Sequence, residues 1–149
     1  MSKMEEAKMS GQGSEASGIL AELRAKAKEE PIASFLKMQL LELSPGYAKV
    51  AMKIIPEHEN FNGLVFGGIV MAVADQAFAY TVNSVSCPNI ASQFNIHFIA
   101  AAKVGDELIA EGRVVKSGRR VSIAEMTVTN QEGKLIAKAT GTTIPVTKE

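Results

Sequence analysis

The chain has 149 residues, 46% of them hydrophobic, and its 16 basic and 16 acidic side chains cancel to zero net charge. That length fits one domain with a sizeable core, and the neutral balance excludes a global basic field for holding nucleic acid or an anionic membrane. Cys87 is the only cysteine, and His58 and His97 are the only histidines, so no intrachain disulfide, thiolate cluster or convincing metal site is expected.

Residues 1–18 carry charge, Gly and Ser but no hydrophobic signal core. They read as a flexible N-terminal arm on a cytoplasmic protein, with 19–149 as a single domain. Ile19, Leu20 and Leu23 stand at helical spacing beside Ala25 and Ala27, predicting a helix over 19–30 that stops before Pro31. A short second helix is expected over about 32–37. From Gln39 the period changes to two. Ala48, Val50, Met52 and Ile54 alternate with Tyr47, Lys49, Ala51 and Lys53, a strand that Pro56 ends. A glycine-rich loop, His58 to Gly68, leads into an apolar helical run that reaches Asn83. This run is too short for a bilayer span and carries Asp75. Phe94, Ile96 and Phe98 then alternate with Gln93, Asn95 and His97. Further strand-like runs follow at about 107–116, 120–130 and 134–144, joined by Ser117-Gly118 and Gln131-Glu132-Gly133.

This order predicts an α+β fold, a curved antiparallel β-sheet wrapped around one long central helix, with an N-terminal helical extension. Ala72, Ala74, Ala77 and Ala79 would let the sheet close on the helix. Lys49, Lys53, Glu111 and Arg113 suit a partly wet outer face, and its Thr, Ala and Ile residues suit contact with another subunit. Met38, Met52, Met71 and Met126 read as core or pocket filler.

Asp75 is the residue that asks for an explanation. A helix apolar all round is a buried helix, and a carboxylate inside one needs a partner, a shifted pKa or a task. The loop in front adds Gly67 and Gly68 at a helix start, where free N–H groups and the positive dipole end suit an oxyanion. Together they suggest a hydrolytic site. The plainer readings are a surface salt bridge for Asp75, a tight turn for the two glycines and a turn or N-cap for Asn60. His58 reads as a loop histidine without a chemical role, and His97 as a strand residue bonded to a neighbour. Lys116, Arg119 and Arg120 flank a turn at Gly118 and form the only compact basic cluster.

The stretch His58-Glu-Asn60-Phe-Asn-Gly63-Leu-Val-Phe66-Gly67-Gly68, continuing to Asp75-Gln-Ala-Phe-Ala-Tyr80, resembles the signature of hotdog-fold acyl-CoA thioesterases of the PaaI-like type. Their pattern is an Asn, a Gly, then His-Gly-Gly, then an Asp seven residues past the last Gly. The resemblance runs on through Asn83-Ser84, Phe94-Asn-Ile-His-Phe98, Gly105-Asp106 and Asn130–Gly133, covering roughly residues 38–146. It implies the hotdog fold and hydrolysis of a thioester to free acid and CoA, with no metal or redox cofactor. By position, Asp75 would be the base or nucleophile, Gly67 a backbone oxyanion donor, and Asn60 the group that positions water or thioester. Phe66, Gly68 and Met71 would bind substrate, and Lys116, Arg119 and Arg120 are candidates for the CoA phosphates. There are two departures. Phe66 stands where the family has histidine, and Ala91 where many relatives have Ser or Thr.

Gly68 and Asp75 lie seven residues apart, about 10 Å along one helix. A single carbonyl cannot readily touch both. Two chains would solve this, so a homodimer or a dimer of dimers is expected. The alternatives are a non-catalytic acyl-CoA or small-ligand binding protein, which Phe66 favours, and a dehydratase, which lacks a suitable His partner for Asp75.

Overall fold

The computed structural model describes the backbone of residues 3–146 and the side chains of residues 13–146. Helix α1 spans Lys3–Glu29 and α2 spans Pro31–Leu36. The stretch expected as a flexible arm is therefore helical from Lys3 onward. Its Glu, Lys and Ala residues are good helix formers and outweigh the interspersed glycines. Pro31 forces the break, because the residue before a proline is pushed out of the helical region. Glu30 accordingly sits at φ −70°, ψ 118°.

Strands β1 (Gln39–Ser44) and β2 (Tyr47–Lys53) follow as a hairpin. The sequence reading had a single strand here. Pro45-Gly46 is the turn it passed over, with Gly46 at φ 75°, a conformation only glycine adopts cheaply. After helix α3 (Gly67–Asn83) come β3 (Asn89–Phe98), β4 (Glu107–Lys116), β5 (Ser122–Thr129) and β6 (Leu135–Pro145). All strand pairs are antiparallel, in the order β1-β2-β4-β5-β6-β3, so β1 and β3 are the edges.

The sheet curls around α3. Val50, Met52, Leu108, Ala110, Val128 and Ile136 meet Val70, Val73, Ala74 and Ala77 in one core. Phe78 and Val82 meet Ala124, Met126 and Ala139 in a second patch. Two strand glycines set how close the helix comes. A Cβ on Gly141 would lie 2.5 Å from Cζ of the buried Phe78, and a Cβ on Gly112 would collide with Thr81 Oγ1. These contacts fix α3 in depth and rotation, and hence which of its faces stays open.

The outer face is polar, as the alternation implied. One cross-strand row runs Glu42, Lys49, Glu111. Lys49 Nζ lies 3.4 Å from Glu42 and 3.8 Å from Glu111, while Arg113 lies 3.6 Å from Glu111 and stacks on the Tyr47 ring. None of the described helices is long and apolar enough to cross a membrane.

Candidate active site

Helix α3 is not buried all round, which corrects the sequence reading. Val70, Val73, Ala74, Ala77, Phe78, Thr81 and Val82 face the sheet, whereas Gly68, Met71, Asp75 and Ala79 are exposed. Those four recur at helical spacing, so they form a single stripe. The stripe is as apolar as the core side apart from Asp75. The period of hydrophobicity therefore could not show which face the protomer's own sheet would leave uncovered.

Asp75 is thus solvent-accessible in the single chain, not enclosed. It makes no hydrogen bond or ion pair among the described residues, which removes the salt-bridge reading. The protein packed around it still desolvates the carboxylate enough to raise its pKa above the ordinary aspartate value. A raised pKa makes a stronger base once ionised.

The stripe begins at the helix start. Phe66 is the N-cap residue and offers no side-chain acceptor, so the N–H groups of Gly67 and Gly68 have no capping partner. Neither glycine has a positive φ, so a tight turn does not explain them. Space does. A Cβ on Gly67 would sit 3.3 Å from Cζ of Phe98, and a Cβ on Gly68 would run into the Phe66 ring. Two aromatic rings therefore lie against the helix start, and Phe66 itself is more than half exposed.

The loop before the helix is a small built hairpin. Asn60 Oδ1 accepts from the N–H groups of Asn62 (2.9 Å) and Leu64 (3.2 Å), and Asn60 N–H donates to Leu64 O at 2.7 Å. Gly63 turns the chain at φ 69°. The plainer reading of Asn60 as a turn residue is therefore correct as far as its oxygen goes. Its Nδ2 makes no hydrogen bond among the described residues. His58 is buried, with Nδ1 accepting from Ile55 N–H at 3.3 Å and its carbonyl accepting from Phe66 N–H at 2.8 Å. It holds the loop's root. Phe61, 95% exposed, and Leu64 stand out from the loop.

The structure does not bring every candidate to one place. Gly67 packs on Phe98, whereas Lys116 pairs in register with Ile123, Thr142 and so Gln93. Gln93 is five residues from Phe98, about 17 Å along the strand. Lys116, Arg119 and Arg120 thus lie at the other end of the sheet from the helix start, all exposed. His97 is on the outer face opposite Lys138. Ala91 is exposed on the edge strand, opposite Thr143.

One group escaped the sequence reading. Gln76 Nε2 donates to Glu30 Oε2 and to Tyr80 Oη, both at 2.6 Å, and Tyr80 Oη donates to the same Glu30 oxygen. Burial and, second, the Glu30 carboxylate push the Tyr80 hydroxyl well above its usual range. Gln76 and Tyr80, four apart in an otherwise apolar run, were the available signal. Nothing local pointed to Glu30 as their partner.

Comparison with known proteins bears on the family and the fold. The family model described as thioesterase superfamily matches residues 62–137. A relative from Archaeoglobus fulgidus is 36% identical over 82% of this chain and 79% of its own. Acyl-coenzyme A thioesterase PaaI of Escherichia coli is 28% identical over 76% of this chain and 81% of its own. The solved structure of that protein superposes with a TM-score of 0.83, covering 88% of this chain and 96% of the other. A thioesterase-family protein of Streptococcus pneumoniae, solved with coenzyme A, gives a TM-score of 0.71 at 27% identity, covering 75% of this chain and 88% of its own. The chain belongs to the thioesterase superfamily, among the hotdog-fold thioester hydrolases of the PaaI type.

Proposed function

We propose that this chain is a cytoplasmic acyl-CoA thioesterase whose active sites form between two copies. The observation that carries the reading is Asp75, a desolvated carboxylate without a protein partner on an open apolar stripe. The same helix begins with the uncapped N–H groups of Gly67 and Gly68. About 10 Å of helix separates Gly68 from Asp75, so the helix start of one copy serves the Asp75 of the other. The exposed apolar stripe and unpaired edge strand β3 are the surfaces such a second copy would cover. The assembly is a dimer or a dimer of dimers.

In the reaction, Asp75 takes a proton from water as the water oxygen attacks the thioester carbonyl. The carbonyl oxygen becomes negative and is held by Gly67 N–H. The free Nδ2 of Asn60 donates to the water or the carbonyl. Collapse of the tetrahedral intermediate breaks the carbon–sulfur bond, releases the acid, and returns the proton from Asp75 to the thiolate of CoA. Direct attack by Asp75, through a mixed anhydride hydrolysed by water, uses the same groups. Phe66, Gly68 and Met71 border the reacting end of the substrate. Lys116, Arg119 and Arg120 suit the phosphates of CoA, which lie far from the thioester.

A panel of aryl- and alkyl-CoA thioesters, with Asp75→Asn as control, tests the proposal. Turnover of at least one thioester that collapses in the variant is the expected result. If no thioester turns over while CoA esters bind, the non-catalytic binding reading replaces it. The Phe66 ring beside the oxyanion donors, where a polar group would otherwise stand, is what favours that second reading.

A further inference from the structure

We infer that the cleft between α1 and the C-terminal half of α3 is the subsite for the acyl chain, and that it takes a medium-length, unbranched apolar chain. The inference rests on the thioesterase reading for where the carbonyl lies. The cleft is a cavity of about 400 Å³, lined by Leu23, Ala27 and Pro31 on one side and Ala79, Tyr80 and Asn83 on the other. That size is within the range of small-ligand sites. Its α3 wall continues the reactive stripe, because Ala79 and Asn83 follow Asp75 at successive intervals of four residues. Each step is about 6 Å along one helix face. A chain whose carbonyl stands at Asp75 therefore runs straight into the cleft.

The polar atoms at its base are occupied. Tyr80 Oη, Gln76 Nε2 and Glu30 Oε2 satisfy one another, which leaves the Tyr80 ring and the aliphatic groups to meet a ligand. A hydroxylated chain would find few free partners there and would lose its water. Of the three charged lining residues, Lys26 and Glu29 are exposed and Glu30 is held in the triad. The same triad has a second consequence. Glu30 is the hinge residue between α1 and α2, and its bonds to α3 hold α1 at the distance that leaves the cleft open. Glu30 is a positioning residue for chain length. It does not touch the reacting atoms.

The test uses the full chain and two variants of opposite sense. Ala79→Leu fills the cleft and Leu23→Ala enlarges it. The readouts are kcat/KM for acetyl-, hexanoyl-, decanoyl- and dodecanoyl-CoA, and calorimetric affinity for S-hexyl- and S-decyl-CoA thioethers against CoA itself. Wild type should gain in both with chain length. In Ala79→Leu the decanoyl-to-acetyl ratio should fall by about tenfold or more, the scale of added methylenes in an apolar pocket. In Leu23→Ala the optimum should move to the longer chain. Glu30→Ala should flatten the length dependence, and Glu30→Gln, which can still accept from Tyr80, should restore it in part. Profiles that superimpose on wild type in the two cleft variants, or thioether affinity indifferent to length, overturn the subsite. If no thioester is hydrolysed but thioether affinity still rises with length and Ala79→Leu abolishes the rise, the subsite stands and the hydrolytic reading falls. Should Ala79→Leu not fold, Leu23→Ala decides alone by the direction of its shift.

Discussion

Replacing Gly141 by alanine should destabilise the fold through a single named collision. The new Cβ would lie 2.5, 2.7 and 2.8 Å from Cζ, Cε1 and Cε2 of Phe78. These are the far atoms of a ring that is 1% exposed and packed edge-on against Phe94 at 5.7 Å between centroids. The ring cannot swing away, so helix or strand must move. Overpacking of this kind costs about 1–3 kcal/mol. Alanine recovers about 0.5–1 kcal/mol of strand-interior backbone entropy relative to glycine. The net loss is up to about 2.5 kcal/mol, or up to about 10 °C in Tm for a domain of this size. A double-mutant cycle with Phe78→Leu isolates the cause. Leucine lacks the offending ring atoms, so Gly141→Ala should cost at least ~1 kcal/mol less in that background. Denaturant unfolding of the four proteins measures the coupling. If the two changes add to within about 0.5 kcal/mol, Gly141 is not there to admit the Phe78 ring, and the account of how α3 is seated is wrong. Phe78 is three residues past Asp75, so any thioesterase turnover should fall with Gly141→Ala and recover in the double variant.

Further outcomes follow from the site and from the core beneath it. Asp75→Asn should lower turnover by about 100-fold or more, the scale of a general base, and near wild-type activity on the best substrate would remove Asp75 from the mechanism. Because the folded pKa of Asp75 is raised, its ionisation opposes folding above the ordinary aspartate range. The same variant should therefore match or exceed wild-type stability at neutral pH and show no gain below that range; the acid limb of kcat/KM should lie above the ordinary aspartate pKa. Asn60→Asp keeps the acceptor that holds Asn62 and Leu64 but removes the amide donor; mixed with Asp75→Asn after subunit exchange, it should recover part of the lost activity, and no recovery would mean one chain supplies a whole site. Phe66→His should raise turnover by about 1–2 kcal/mol of barrier, one ordinary hydrogen bond, most clearly on polar aryl thioesters. Thr81 Oγ1 is buried against Gly112 without a hydrogen-bond partner, so Thr81→Val should stabilise the fold by about 1 kcal/mol; a loss of stability would reveal a partner for the hydroxyl.

Local signals carried most of the fold. The period-two runs became β2 through β6 because alternation is imposed by the pleat, and each inward set had one face to bury. The β1–β2 hairpin was legible in Pro45-Gly46, but the weak alternation of Gln39–Ser44, an edge strand with mostly exposed side chains, hid it. Asn60, Gly67 and Asp75 could be named because their spacing carries a recognisable pattern. What the two glycines do was not legible. The rings of Phe66 and Phe98 lie against them, one of them thirty-one residues away in sequence. The Glu30 triad lay out of reach for the same cause, since a carboxylate at a helix break has no periodic relation to a glutamine in α3.

The misreading of α3 as buried on all sides bears most directly on the assembly. Hydrophobic periodicity reports which residues avoid water in the working molecule, whatever covers them. The protomer's own sheet covers Val70, Val73, Ala74, Ala77 and Phe78, yet the sequence is nearly as apolar at Met71, Ala72 and Ala79. A face kept apolar but left open by its own chain is a face meant for something else. Along α3 that cover divides in two. Helix α1, tied down by Glu30, overhangs Ala79 and Asn83. Among the described residues, Gly68, Met71 and Asp75 stay exposed, and the unpaired edge of β3, Phe61 and the rings of Phe66 and Phe98 are also open. The carboxylate sits at the boundary between the two, which is where the proposed reading has the acyl chain under α1 and the carbonyl against a second copy of the helix start. On the proposed two-copy site, the apolar excess that made the helix look buried is the surface a second copy and the substrate would cover.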